Sequence, residues 1–135
     1  MIYSYSAVER IPKELRPGIV YHTKEFELGA MLCACGCGHR VDLLVPDSHQ
    51  IYSEDGLATI RPSVAVCDAP CKSHYFISAG RVQWLRPFSE AHAKAVMHGQ
   101  IARHASRDSR RRSWIGRSRV ALVRVFNQVR VFLRL

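Results

Sequence analysis

HYFISAGRVQWL, residues 74–85, places two strand-like runs on either side of Ser78-Ala79-Gly80-Arg81, with glycine where a tight turn requires positive φ. It reads as a β-hairpin. The segments before it have the same character. Pro17-Gly18 opens GIVYHT, a strand from Ile19 to Thr23. RVDLLVP alternates polar and apolar residues up to Pro46, and ATIRPSVAV is a further β-branched run in which Pro62 demands an edge or a bulge. Short strands between turn signals predict a small, mostly β domain with antiparallel strands.

From Ser89 the pattern changes. SEAHAKAVMHGQIARHA offers Ser89 as an N-cap and Glu90 in the first turn, and it predicts a helix to about Ala105, weakened by Gly99. Its histidines, His92, His98 and His104, do not share a face with a carboxylate at ligand spacing, so the helix reads as a surface element. An Arg/Ser linker, SRDSRRRSWIGRSR, follows. VALVRVFNQVRVFLRL then closes the chain with a pattern that suits an amphipathic strand or helix.

The net charge of +9 is confined to this end. Residues 103–135 hold ten Arg, one Asp and no Lys, whereas residues 1–102 carry ten charges of each sign. A neutral body argues against a nucleic-acid-binding surface there, and leaves the basic tail as the place for an anionic partner or as an extension without a site. At 135 residues and 47% apolar content the chain has room for one core and a tail. It lacks an apolar run long enough for a bilayer and the basic-then-apolar order of a signal peptide at MIYSYSAVER. These features, with an odd cysteine count, predict a cytoplasmic protein without membrane contact, its cysteines kept as thiols or metal-bound.

MLCACGCGHR, residues 31–40, carries the chemistry. Neighbours two apart in an extended strand stand roughly 6.6 Å apart, too far for thiolates that share one zinc at about 2.3 Å each. The chain must therefore fold tightly, and Gly36 and Gly38 permit it. A partner comes from APCKSHYF, where Cys71 and His74 stand at a common ligand spacing. Cys33, Cys35, Cys37, Cys71 and His74 are thus five candidates for a four-coordinate zinc. Cys67 faces the core in this reading. No HExxH helix supplies a general base, and Asp42 is the nearest acid in sequence. The other chemical option is Ser73 or Ser63 activated by His74, if that histidine is not a ligand. Thiol redox chemistry would need two metal-free cysteines. The residues by themselves favour a structural zinc site.

The order of motifs is more specific than any one of them. Leu15-x-Pro17-Gly18-x-x-Tyr21, the CxCGCG loop, Pro62-Ser63, Cys71-x-Ser73-His74-Tyr75-Phe76-Ile77 and Gly80-x-Val82-x-Trp84 span residues 15–84. Together they resemble a bacterial family of small proteins with a CPCGCG loop and a C-x-SH-[FYW]-[FW]-I hairpin ending in Trp. Members are encoded beside ubiquitin-like proteins and their activating and conjugating enzymes. The resemblance implies a zinc-binding, peptidase-like protein that processes or removes a ubiquitin-like protein at its C-terminus. It marks Cys33, Cys35, Cys37, Cys71, Ser73 and His74 as the functional group, with no small-molecule cofactor. Two residues depart from the pattern: Ala34 replaces the usual Pro, and His39 stands where an acidic residue is common.

The expected organisation is a zinc-binding, peptidase-like domain over 1–102, with a β core at 15–88 and a helix from 89 to about 105. An Arg-rich extension occupies 103–135. The alternative function is a non-enzymatic zinc module that binds a ubiquitin-like partner, or nucleic acid through its tail.

Overall fold

The hairpin at the end of the domain forms as its turn residues require. In a computed structural model, which describes residues 1–110, β7 (His74–Ser78) and β8 (Arg81–Trp84) are antiparallel, with Ser78 opposite Arg81. Ala79 and Gly80 both take positive φ, 44° and 74°, as a two-residue turn matched to strand twist demands. A Cβ on Gly80 would lie 2.9 Å from the Tyr3 carbonyl oxygen, so glycine is also required by close approach.

Six further strands precede the hairpin: β1 (Ser4–Ala7), β2 (Ile19–Thr23), β3 (Leu28–Leu32), β4 (Arg40–Leu44), β5 (Gln50–Glu54) and β6 (Leu57–Ala65). They form one sheet in the order β4-β3-β2-β1-β6-β7-β8, with β5 paired to β6 off that path. All pairings are antiparallel except β1 with β2. The strands expected at Ile19–Thr23, around RVDLLVP and through ATIRPSVAV are β2, β4 and β6. Short β1, β3 and β5 complete the sheet.

Strand β6 is its hub and its irregular point. Leu57–Arg61 pairs with Glu54–Gln50 of β5, and Ile60, Val64 and Ala65 pair with β7 on the other edge, with a register shift between Ile60 and Val64. Pro62 lies inside that shift, where its missing N–H breaks no regular ladder. The Arg61 guanidinium bridges the gap, donating to the carbonyls of Ile60 (3.1 Å) and Ile77 (3.2 Å) and to Ser78 Oγ (3.1 Å). Tyr3, Val20, Met31, Ile60, Val64, Val66, Tyr75 and Ile77 are fully buried and form the centre of the core.

Ser89 caps α1, which occupies residues 90–110. Its Oγ accepts from the main-chain N–H of His92 and its carbonyl from that of Ala93. The helix passes through Gly99 and runs beyond Ala105. The chain divides into two units, Met1–Ala95 and a second beginning at Val96; the sheet lies in the first. The Arg/Ser linker beyond Arg110 and the closing amphipathic segment lie outside the described residues. Among those described, no helix is long and apolar enough to cross a membrane.

Candidate active site

The CACGCG stretch is the loop of the β3–β4 hairpin. Leu32 pairs with Arg40, and the Cys33 N–H donates to the His39 carbonyl at 2.8 Å. Gly36 and Gly38 take φ of 85° and 78°, where a Cβ would be strained. These turns fold the loop back on itself and put Cys33 Sγ 3.4 Å from Cys35 Sγ.

The loop that joins β6 to β7 brings the fourth cysteine. It is closed by the Val66 N–H on the Ser73 carbonyl (2.9 Å) and by Lys72 Nζ on the Cys67 carbonyl (2.7 Å). Cys71 Sγ then sits 4.0 Å from Cys33 Sγ and 3.8 Å from Cys37 Sγ. All four sulfurs lie within 4.8 Å of one another, and they could hold a metal ion. Tetrahedral coordination at about 2.3 Å sets sulfurs about 3.8 Å apart, so the donor set and spacing fit such an ion. His39 fastens one loop to the other through Asp68, Nε2 to Oδ1 at 3.0 Å.

The surroundings favour thiolates in some positions and oppose them in others. Burial pushes Cys33 up to about 12, while Cys35, against a raising effect of burial, is drawn down to about 6 by hydrogen bonds from Ser73 and Cys37. Ser73 is 6% exposed and hydrogen-bonds Cys33 and Cys35. Tyr75 Oη donates to Cys33 Sγ (3.9 Å) and accepts from the Ala34 N–H (3.3 Å). Ser73 and Tyr75 thus act on the sulfurs from beneath.

His74 points away from this cluster. Alternation along β7 buries Tyr75 and Ile77 and leaves His74, Phe76 and Ser78 on the opposite face. Ala65 is opposite His74, so Ser63 is its diagonal neighbour on that face. The Ser63 hydroxyl lies 2.9 Å from His74 Nε2. His74 Nδ1 is 3.3 Å from the Arg86 carbonyl oxygen. A carbonyl only accepts, so Nδ1 carries a hydrogen, which in the neutral imidazole leaves the Nε2 lone pair facing the hydroxyl. The Phe88 ring stacks on the imidazole at 4.3 Å between centroids. A serine with a neutral imidazole as base, itself oriented by a third group, is the arrangement of nucleophilic acyl transfer.

A family model described as the bacterial ubiquitination-like system serine protease, BubE, matches residues 7–85. The chain belongs to the BubE family. No curated protein and no solved structure matches it. The name accords with a serine-centred site. Within this BubE chain the structure brings Cys33, Cys35, Cys37 and Cys71 together, joins Ser63 to His74, and puts Ser73 under the sulfurs. Asp42 is bound by Arg40 Nε at 2.9 Å. Sequence reasoning left out the Arg86 carbonyl and Phe88. A main-chain acceptor has no residue-type signal, and Phe88 is an ordinary aromatic until the fold sets it on His74.

Proposed function

We propose that this protein is a cytoplasmic serine peptidase that hydrolyses the bond after the C-terminus of a ubiquitin-like protein, in a precursor or in a conjugate. The observation that carries the reading is the 2.9 Å contact of Ser63 Oγ with His74 Nε2, with Nδ1 held on the Arg86 carbonyl. The family's description supports the substrate class and a working relation with the conjugating enzymes of the same system. In this mechanism Ser63 Oγ attacks the scissile carbonyl carbon as its proton passes to His74 Nε2. The imidazolium formed, stabilised by the Arg86 carbonyl, then protonates the leaving amine, and the carbon–nitrogen bond breaks. Water, deprotonated by His74, attacks the resulting ester and releases Ser63 and a free C-terminus.

Zinc is the metal assigned to Cys33, Cys35, Cys37 and Cys71. Four thiolates complete its coordination, so the ion would supply a cross-link between the β3–β4 loop and the approach to β7 rather than an open position for water. His74, with Nε2 on Ser63, serves as base and not as ligand; Ser73 supports the sulfurs and is not the nucleophile.

The test is cleavage of a ubiquitin-like protein carrying a short C-terminal extension, with zinc content measured alongside. Ser63→Ala should be inactive with its zinc intact, and Ser73→Ala should still cleave. Cleavage by Ser63→Ala would overturn the reading.

A further inference from the structure

Ser63 is held at two points, and the mechanism above uses one of them. Its side chain meets His74; its main-chain carbonyl oxygen meets His49 Nε2 at 3.2 Å. His49 is 8% exposed and stands in the turn between β4 and β5, immediately before Gln50. Its other nitrogen, Nδ1, lies 2.9 Å from Ser48 Oγ.

The partner at Nε2 fixes one proton of this imidazole. The Ser63 carbonyl only accepts, so Nε2 of His49 carries a hydrogen. The Leu44 carbonyl already accepts from the main-chain N–H groups of both Ser48 and His49, at 3.0 Å each. The Ser48 hydroxyl also donates to that carbonyl at 3.0 Å and accepts from the Leu44 N–H at 3.2 Å, which closes the turn on β4 and sets Oγ beside His49 Nδ1. The imidazole is thus held at both nitrogens.

Its location gives the contact its importance. The β5–β6 ladder ends at Gln50 opposite Arg61, the β6–β7 register shifts between Ile60 and Val64, and Pro62 has no N–H. Ser63 thus sits where the sheet's own hydrogen bonds do not fix the backbone. We propose that His49 is a positioning residue: by anchoring the Ser63 carbonyl, it fixes the nucleophile's main chain so that Oγ meets His74 Nε2 in attacking geometry. The inference rests on Ser63 being the nucleophile. Misplacement of a reacting atom by about 1 Å can reduce rate about 10²-fold, which sets the scale of the effect.

The experiment measures the rate at which a fluorophosphonate probe labels Ser63 in the full-length, metal-loaded protein. The labelled residue is identified by peptide mass, and kcat and KM are measured for a ubiquitin-like protein with a C-terminal extension. His49→Leu should lose roughly 10- to 100-fold in labelling rate and kcat, with KM within about 2-fold. His49→Gln, whose amide can donate to the same carbonyl, should recover to within about 5-fold of wild type. Ser48→Ala leaves the imidazole in place and removes the Oγ contact at Nδ1; it should slow labelling several-fold even if His49→Leu fails to fold. Wild-type rates in His49→Leu and Ser48→Ala, equal losses in the Leu and Gln variants, or a loss confined to KM would each overturn the proposal. If the wild-type protein is labelled elsewhere than Ser63, the nucleophile assignment falls and this inference with it. Labelling at Ser63 with indifferent variants sinks the inference alone.

Discussion

Cys71→Ser tests whether the sulfur cluster acts as a cross-link. Cys33, Cys35 and Cys37 share one hairpin loop, so a metal held by them alone would tie that loop only to itself. Cys71 is the sulfur of the cluster that lies on the other loop, 38 residues from Cys33 in sequence. Treated as a chain-entropy constraint, closing a loop of that length restricts the unfolded state by about 4 kcal/mol at 25 °C. For a domain of this size each kcal/mol moves Tm by several degrees, so loss of the link should lower it by roughly 15–20 °C. Substitution by serine keeps the volume near that of cysteine, and Cys71 is only half-buried, so packing changes little. The assay is calorimetric melting of wild type, Cys71→Ser and chelated wild type, with metal content measured in each. Wild type should melt well above the other two, and they should melt close together. A metal-free Cys71→Ser that melts within about 3 °C of metal-loaded wild type would refute the cross-link. So would a chelated wild type that melts far above the variant.

Ser63→Ala and His74→Ala should each reduce kcat by about 10⁴-fold or more, with Tm and bound metal unchanged; steady-state cleavage and elemental analysis decide it. Ser73→Ala should instead retain turnover within about tenfold and lower stability by about 1–2 kcal/mol, because a buried donor to the Cys33 and Cys35 sulfurs is lost; denaturant unfolding measures this. Gly80→Ala sets a Cβ 2.9 Å from the Tyr3 carbonyl at φ +74°, and should cost about 2 kcal/mol or more in the same measurement. Burial raises Tyr3 to about 12 and raises Tyr75 as well. Their folded-state values lie above the unfolded 10.0, so this stability is complete below pH 10 and is lost as pH rises toward 12. In a tyrosinate absorbance titration these two of the five tyrosines should ionise only as the protein unfolds.

The parts of this fold legible in the sequence are those fixed by local chemistry. The Ala79-Gly80 turn, the glycines of the cysteine loop and the Ser89 cap each declare themselves through a backbone conformation or a capping oxygen. Alternation around Tyr75 and Ile77 likewise shows which face of β7 is buried, and so which face carries His74. Strands β1, β3 and β5 were hidden for a different reason. Each has only four or five residues, and β1 is ordered by pairing with β2 and, through Ser4, with β6, both distant in sequence. The site was legible as a set of residues, with the place of His74, as a ligand or as the base for Ser63 or Ser73, left open. Cys71-x-x-His74 has a ligand's spacing, yet the strand pleat turns Ser73 toward the sulfurs and His74 toward Ser63. His49 carries no motif at all; it becomes meaningful only when the β4–β5 turn brings it to the Ser63 carbonyl.

The two halves of the site are joined by one short segment. Ser63 and His74 are 11 residues apart, and most of the chain between them is the loop that carries Cys71. That loop has few ladder bonds, and Lys72 holds a positive φ of 46° that a non-glycine residue adopts only when its neighbours enforce it. The enforcing contacts are the Lys72 bond to the Cys67 carbonyl and the Cys71 sulfur packed against the β3–β4 loop. A cluster with no open coordination position would then still govern the rate, by setting where His74 begins β7 relative to Ser63. Metal loss and substitution of Ser63 would both reduce cleavage. They would differ in that metal loss slows labelling of Ser63 without removing the residue that is labelled.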